Sequence, residues 1–207
     1  MTTRNLAPPA PVQLGLVDDA EPAAGGYRCF VIDPPWNEKG GSRGADKPCR
    51  RARAALPPTP HHIPRVVMQS PLWQPAASAH LWLWVTANFL EDGLFVMRAL
   101  GFRYVSFAVW VKPSIGIGQY LRLRHEPLLF GVRGRLHTQD NGVDSVIRDA
   151  VLGEGVDDAF EAPRGRHSEK PEESYRRIER VSPGPRAEIF AREKREGWDV
   201  WGNEVAA

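Results

Sequence analysis

The chain contains several apolar runs that lack the regular polar alternation of a half-exposed strand. Unbroken apolar runs are typical of strands that are buried on both faces of a sheet. The predicted strands are residues 27–32, 79–86, 102–112, 127–133 and 187–191. Because such a sheet must be covered on both faces, the runs predict an α/β fold with helices on both sides.

Two other segments have the periodicity of amphipathic helices. The first, residues 88–101, ends at Gly101, which suits a helix C-terminus. Its predicted buried face consists of Phe89, Leu90, Leu94, Met97 and Leu100. In the second, residues 170–184, Ser168 can cap the helix and Pro171 suits its first turn. Its predicted buried face consists of Tyr175, Ile178 and Val181. Strands that alternate with helices predict a mostly parallel sheet.

Residues 1–26 are rich in proline, alanine and glycine, so we expect a flexible N-terminal arm. Residues 27–207 are predicted to form a single domain, because a chain of 207 residues with 42% hydrophobic residues can bury one core. The segments 42–62 and 135–158 are polar and show no apolar face. Long connections of this kind often bind substrate in α/β enzymes.

The first apolar run stops at Asp33, which is followed by Pro34, Pro35 and Trp36. In an open parallel sheet, ligands bind beyond the carboxyl ends of the strands, where Asp33 is expected to lie. Neither proline can donate a hydrogen bond, so the tetrapeptide offers acceptors beside a flat aromatic ring. A planar molecule with an amino group fits such a site, and an exocyclic base amine is one example. A rigid turn with a core tryptophan is the competing interpretation.

If the ligand is a base, Trp36 would stack on its face while Asp33 and the Pro34 carbonyl accept the two amine hydrogens. Holding both hydrogens favours the pyramidal geometry in which the nitrogen lone pair is free to attack. The catalytic contribution would therefore be electrostatic preorganisation. A target base in a duplex would have to be flipped out or be unpaired already.

The Asp-Pro-Pro-Trp motif, together with the blocks at residues 80–120, 125–134, 162–185 and 188–205, resembles the MT-A70 family of adenine N6-methyltransferases. The likeness is to the compact bacterial and phage members, and it covers the chain from Tyr27 to Val205 in the expected order. It implies a Rossmann-like methyltransferase fold and S-adenosylmethionine as the methyl donor. It also implies transfer of the methyl group to the N6 amine of adenine in nucleic acid, with DNA favoured over RNA because of the compact form.

The resemblance implies roles for individual residues. The catalytic, amine-binding element is Asp33, Pro34, Pro35 and Trp36. Trp36, Glu126 and Lys170 are the implied substrate contacts. The implied cofactor-binding residues are Asp33, Lys170, Glu188, Phe190, Arg192, Asn203 and Glu204. These types also suit the cofactor chemically, because a ribose diol needs polar partners and a zwitterionic tail needs one acid and one base.

The segment 48–60 departs from the family pattern. Relatives carry a tyrosine there that helps to hold the target adenosine, whereas this chain has no tyrosine between Tyr27 and Tyr104. Either another side chain, such as His61 or an arginine, covers the adenine, or activity is reduced. Eukaryotic relatives also have glutamine where Glu204 stands.

Composition permits a nucleic-acid partner without requiring one. Most of the 27 basic residues are arginine, which suits phosphate and base contacts, although a GC-rich genome gives the same excess. The six histidines lack metal-ligand spacing, and the two cysteines give no disulfide framework. With no signal-peptide pattern and no run of about 20 apolar residues, we expect a cytoplasmic protein that binds neither metal nor membrane.

Two other functions compete with the methylation of adenine in nucleic acid. A catalytically silent member of the same fold could bind nucleic acid or act as a scaffold, which the missing tyrosine favours and the intact Asp33–Trp36 motif disfavours. A methyltransferase for a small amine or a protein side chain could also use a cluster of acceptors beside an aromatic ring.

Overall fold

The computed structural model describes residues 25–36, 60–112, 121–142, 146–148, 170–203 and 205. The strands in these ranges are β1 (Tyr27–Ile32), β2 (Pro75–Trp84), β3 (Arg103–Val111), β4 (His125–Arg133), β5 (Val146–Arg148), β6 (Arg186–Ile189) and β7 (Asp199–Trp201). The α-helices are α1 (Ile63–Gln69), α2 (Leu90–Ala99) and α3 (Glu172–Val181). Short 3-10 helices span Pro60–His62 and Ala87–Phe89.

The strands form one sheet in the order β5-β3-β4-β2-β1-β6-β7. Strand β1 is parallel to β2 and β6, β6 is parallel to β7, and β3 is parallel to β5. Strand β4 is antiparallel to both of its neighbours, β2 and β3. The prediction of a mostly parallel α/β sheet is therefore confirmed. Because β4 is reversed, it begins at the edge of the sheet where β1, β2, β3 and β6 end, which we call the carboxyl edge.

Two clusters of buried side chains cover the two faces of the sheet. On one face, Met97 of α2 and residues of α1 cluster with Leu83 of β2. On the other face, Tyr175 of α3 belongs to the same cluster as Trp84 of β2. Successive residues of a strand point to opposite faces, which is why the odd and even positions of β2 join different clusters. Helices thus cover both faces as predicted, and we call the second face the α3 face.

Helix α2 confirms the first predicted helix, although its buried face differs in part from the prediction. Gly101 follows the helix with φ of 83°, a left-handed conformation that suits glycine. The placement of Leu90 on the buried face is wrong, because this side chain is 40% exposed. The buried side of the helix includes Gly93 and Val96 instead. A Cβ at Gly93 would lie only 2.4 Å from Cγ1 of Val85, so glycine allows α2 to approach the sheet closely there.

Helix α3 confirms the second predicted helix and its buried face of Tyr175, Ile178 and Val181. Pro171 does not lie in the first turn as predicted. It precedes the helix as the N-cap residue, with extended backbone at φ −67° and ψ 139°. The predicted cap, Ser168, lies outside the described residues.

None of the helices in the described ranges is long and apolar enough to span a membrane. In the same ranges, no group of three or more His, Cys, Asp or Glu side chains is arranged to hold a metal ion. Residues 1–24 of the predicted arm lie outside these ranges, as do 42–59, 143–145 and 149–158 of the two long connections. The arm and the single domain remain predictions.

Candidate active site

Charged side chains from four strands meet at the carboxyl edge, on the α3 face. Asp33 follows β1, and Lys112 follows β3. Glu126 lies near the start of β4, opposite Trp110 of β3. Glu188 of β6 lies opposite Val31 of β1. The order of the sheet thus brings residues from distant parts of the chain to the position where α/β folds bind ligands.

Lys170 connects two of these carboxylates. Its Nζ lies 3.3 Å from Oδ1 of Asp33 and donates a hydrogen bond to Oε1 of Glu126. The Lys170 side chain is only 7% exposed, and those of Asp33 and Glu126 are 12% and 8% exposed. Lys170 also lies over the ring of Trp84, with Nζ 4.8 Å from the ring centroid. The lysine is therefore a largely buried cation held by two acids and an aromatic ring.

A second lysine completes the neutralisation of Glu126. The Nζ of Lys112 lies 2.6 Å from Oε2, so each oxygen of this carboxylate faces a different ammonium group. Burial alone would raise the pKa of Glu126, but Lys170 and Lys112 outweigh burial and lower it. Burial would likewise lower the pKa of Lys170, but Asp33 and Glu126 outweigh it and raise the pKa. Glu126 and Lys170 are therefore held in their charged forms at neutral pH.

Arg192 brings a further positive charge to Asp33. It lies just after β6, and its Nη2 is 3.9 Å from Oδ2 of Asp33. Lys170 faces the other oxygen of the same carboxylate. The two cations thus flank Asp33 on both of its oxygens, which restricts the directions in which the carboxylate can turn.

Glu188 lies in a different environment, although it is close to the same edge. Tyr175 of α3 donates a hydrogen bond of 2.8 Å to Oε1 of Glu188. The guanidinium of Arg195 lies over the ring of Tyr175, 3.6 Å from its centroid. Burial raises the pKa of Glu188 to about 7, with smaller raising effects from Asp33 and Glu193. The hydrogen bond from Tyr175 and the charge of Arg195 oppose this rise, so Glu188 can change its protonation state near neutral pH.

Trp36 fixes the end of the Asp-Pro-Pro-Trp motif to the core. Its Nε1 donates a hydrogen bond of 2.9 Å to the backbone carbonyl of Trp84, and its ring stacks on Phe89 with centroids 5.4 Å apart. The ring is 7% exposed. The backbone N–H of Trp36 donates a hydrogen bond of 2.9 Å to the Pro34 carbonyl, which was predicted to accept an amine hydrogen. A carbonyl oxygen has two lone pairs, so Pro34 can still accept a second hydrogen bond. Stacking of Trp36 on a base remains a prediction.

The other predicted cofactor-binding residues follow β6 and β7. Phe190 has a positive φ of 67°, and its half-buried ring packs against Trp201 with centroids 6.0 Å apart. Asn203 is exposed in a turn after β7, and Glu204 lies outside the described residues. Gly202 explains how the chain reaches this turn, because a Cβ there would lie 2.1 Å from the carbonyl oxygen of Ala191. Glycine allows the ends of β6 and β7 to approach each other.

The sequence prediction missed Lys112, Tyr175 and Arg195 as members of the site. Lys112 had one signal, since it ends a predicted strand on the same edge as Asp33. Tyr175 was assigned only to the buried face of its helix, and its partner Glu188 depends on the strand order. Arg195 lies in a polar stretch with no distinguishing pattern.

Comparison with known proteins agrees with the resemblance found in the sequence. The MT-A70 family model matches residues 27–204. Type II methyltransferase M.MunI of Mycoplasma sp is 25% identical over 193 residues, which cover 86% of this chain and 78% of that protein. N(6)-adenosine-methyltransferase catalytic subunit METTL3 of Homo sapiens is 30% identical over 136 residues, which cover 60% of this chain and 21% of METTL3.

A similar match is found to the N(6)-adenosine-methyltransferase MT-A70-like protein of Drosophila melanogaster, at 29% identity over 60% of this chain and 20% of that protein. This chain therefore spans only about a fifth of the length of its animal relatives. The family model, in contrast, extends from the first residue of β1 to beyond β7, and so includes the whole described sheet and its carboxyl edge. The chain belongs to the MT-A70 family.

Proposed function

We propose that this protein is an S-adenosylmethionine-dependent methyltransferase that transfers a methyl group to the N6 amine of adenine in nucleic acid, with DNA favoured over RNA. The observation that carries the proposal is the buried cluster of Asp33, Lys170 and Glu126 at the carboxyl edge. Buried charges are costly unless they are paired, so a cluster of this kind marks a candidate functional site. Its first member, Asp33, begins the Asp-Pro-Pro-Trp motif in a chain of the MT-A70 family.

The residues at this edge fit S-adenosylmethionine in their chemistry. A ribose diol needs hydrogen-bond acceptors. Glu188 offers a carboxylate whose Oε1 accepts a hydrogen bond from Tyr175. Asn203 offers an amide with both donors and an acceptor. Asp33 and Lys170 provide the acid and the base that a zwitterionic amino-acid tail needs. The bound cofactor supplies an electrophilic methyl group, and these residues bind and orient it.

Asp33 acts on the target amine as a fixed acceptor. Lys170 and Arg192 flank its two oxygens, and Trp36 fastens the following residues to the core. An ionised carboxylate has about four acceptor positions, so it can accept an amine hydrogen while it remains paired with both cations. Because the acceptor is already oriented, little reorganisation is needed when charge develops on the amine nitrogen. Holding the amine nitrogen in line with the methyl group of the cofactor would further increase the rate of transfer through proximity.

The preference for DNA rests on the extent of the matches. M.MunI, named a type II methyltransferase, matches over 78% of its own length. The relatives named N(6)-adenosine-methyltransferases match over about a fifth of theirs. The match over most of the length of M.MunI supports DNA as the substrate class.

Incubation with S-adenosylmethionine carrying a labelled methyl group tests the proposal. DNA and RNA of matched sequence, each single-stranded and double-stranded, are digested after the reaction, and the labelled nucleosides are identified by mass spectrometry. We expect labelled N6-methyladenine from DNA in excess of RNA. More product from RNA would overturn the DNA assignment alone. Binding of cofactor and nucleic acid without any product would favour a catalytically silent member of the family.

A further inference from the structure

The Lys112 side chain contacts the site through its ion pair with Glu126. We propose that Lys112 is a positioning residue for methyl transfer, which holds Glu126 and, through Glu126, keeps Lys170 beside Asp33. This inference rests on the proposed function, because the Asp33 acceptor matters only if an amine is bound there. Neither the sequence motif nor the family resemblance singled out this lysine.

The geometry forms a chain of alternating charges. Lys112 faces Oε2 of Glu126 at 2.6 Å, and Lys170 is bonded to Oε1 of the same carboxylate. Lys170 then reaches Oδ1 of Asp33 at 3.3 Å, and Arg192 faces Oδ2 at 3.9 Å. Glu126 and Asp33 thus each lie between two cations, and Lys112, which follows β3, is the cation at one end of the series.

Lys112 is itself held in place by its strand. Its backbone N–H donates a hydrogen bond of 2.6 Å to the carbonyl of Arg124, which extends the pairing of β3 with β4. Its ammonium lies 5.0 Å from the centroid of the Trp110 ring. The side chain is 35% exposed, whereas that of Glu126 is 8% exposed. Lys112 is therefore a partly exposed cation at the carboxyl edge that neutralises the buried Glu126 carboxylate.

Removal of Lys112 changes how Lys170 is shared between Glu126 and Asp33. Glu126 would keep one cationic partner instead of two, so its carboxylate would attract Lys170 more strongly. Lys170 would then be drawn from Asp33 toward Glu126, and the Asp33 acceptor would lose the cation that orients one of its oxygens. Glu126 would also become easier to protonate, because Lys112 contributes to the lowering of its pKa. The charged groups that face Glu126 in the described ranges are Lys112 from β3 and Lys170 before α3, with Asp33 behind Lys170.

A direct contact between Lys112 and a nucleic-acid phosphate is the alternative role for a partly exposed lysine. A phosphate contact acts independently of Glu126, so its loss weakens nucleic-acid binding at every pH. A positioning role acts only while Glu126 is present and ionised. The two roles therefore give opposite results in a double-mutant cycle.

The first measurement follows the Glu126 carboxyl by NMR in protein labelled with ¹³C-glutamate, with Glu126→Gln used to assign its signal. In Lys112→Met we expect the pKa of Glu126 to rise, and in Lys112→Arg we expect it to stay close to the wild-type value. Arg180→Met removes a surface cation in the last turn of α3, where it is paired with Asp140, and serves as the matched control. An unchanged Glu126 titration in Lys112→Met overturns the proposal whether or not the protein is active.

The second measurement is the pH profile of kcat/KM for adenine methylation. We expect Lys112→Met to lose about tenfold at neutral pH, since a hydrogen bond to a charged group is removed, and its acid limb to move to higher pH. Lys112→Arg should recover the wild-type profile, and Lys112→Met should have no further effect in the Glu126→Gln background. A loss that is equal at every pH, persists in that background and reduces the salt slope of DNA binding by about one would assign Lys112 to a phosphate contact instead.

The same two measurements separate this inference from the proposed function. An active wild-type protein whose kcat/KM is unchanged in Lys112→Met contradicts the positioning role and leaves the methyltransferase assignment intact. A wild-type protein that forms no N6-methyladenine contradicts the methyltransferase assignment, and the Glu126 titration then decides alone whether Lys112 holds Glu126.

Discussion

Lys170 and Asp33 form a largely buried ion pair, with Nζ of the lysine 3.3 Å from Oδ1 of the aspartate. The pair joins the residue that follows β1 to a residue two positions before the start of α3. Helix α3 is thereby tied to the carboxyl edge, on the face of the sheet that it covers. The ion pair therefore has two consequences, one for the stability of the fold and one for the proposed chemistry.

Replacement of Lys170 by methionine should strongly destabilise the protein. The substitution leaves Asp33 and Glu126 without the buried cation that lies between them. Removal of one partner of a buried ion pair typically costs about 3–5 kcal/mol, and we expect a loss near the lower end because Lys112 and Arg192 still face Glu126 and Asp33. Urea unfolding monitored by circular dichroism measures this loss. Arg180→Met, which breaks the surface ion pair between Arg180 of α3 and Asp140, should leave the unfolding midpoint unchanged. Equal midpoints for Lys170→Met and the wild type would contradict the account.

The sequence predicted the strands that are apolar along their whole length and missed those that are short or partly polar. Strand β1 matches its prediction at both ends. Strand β2 begins at Pro75, four residues before its predicted start, because the small and polar residues there give no apolar signal. Strand β7 has three residues and is formed through pairing with β6. The reversed direction of β4 has no local signal either, since antiparallel pairing depends on how the chain connects β3 to β4.

For the site, the sequence identified residues that stand in motifs and missed residues that act through contacts. Asp33 and Lys170 were assigned from motifs, and the fold brings them together. Lys112 and Tyr175 become part of the site only because the strand order places Glu126 and Glu188 beside them. The burial of Trp36 against Phe89 agrees with the competing interpretation of a core tryptophan, and the sequence left this choice open because the path of the chain after the motif decides which way the ring faces.

Glu188 should make the stability of the protein fall as the pH rises. Its pKa is about 7 in the folded protein, where burial is the main cause, and lies near 4.5 for an ordinary glutamate. The folded state therefore binds the proton more tightly than the unfolded state. Its contribution to stability is complete below pH 4.5 and is lost as the pH rises through 7. The expected loss between pH 5 and pH 8 is on the order of 2 kcal/mol.

Urea unfolding at several pH values, compared between the wild type and Glu188→Gln, isolates this effect from the other titrating groups. Gln cannot ionise, but its carbonyl can still accept the hydrogen bond from Tyr175. The difference in unfolding free energy should therefore shift in favour of the variant as the pH rises. A difference that is constant from pH 5 to pH 8 would show that Glu188 does not titrate in this range.

Trp36→Phe should weaken both the fold and the proposed reaction. The substitution keeps an aromatic ring near Phe89 but removes the hydrogen bond from Nε1 to the Trp84 carbonyl. Loss of one partner of a buried hydrogen bond costs about 1–3 kcal/mol. Because this bond fastens the residues that follow Asp33, kcat for methyl transfer should fall as well.

Trp82→Phe is the matched control for Trp36→Phe. This substitution also removes a buried indole hydrogen bond, which Nε1 of Trp82 donates to Oγ of Ser182 at the C-terminal end of α3. Thermal melts should show a similar loss of stability in both variants, whereas only Trp36→Phe should lower kcat. An equal kcat for the two variants would mean that Trp36 serves the fold alone.

The most direct test of the central claim compares the wild type with Asp33→Ala in the formation of N6-methyladenine. Asp140→Ala, which removes an aspartate paired with a surface arginine, is the control for loss of a carboxylate elsewhere. Cofactor binding is measured in parallel, so that loss of binding is distinguished from loss of chemistry. We predict product from the wild type and Asp140→Ala, and a reduction of about 100-fold or more in Asp33→Ala, in line with the loss of one preorganised electrostatic contact. Equal rates of N6-methyladenine formation by the wild type and Asp33→Ala would contradict the assignment of Asp33 as the acceptor for the amine.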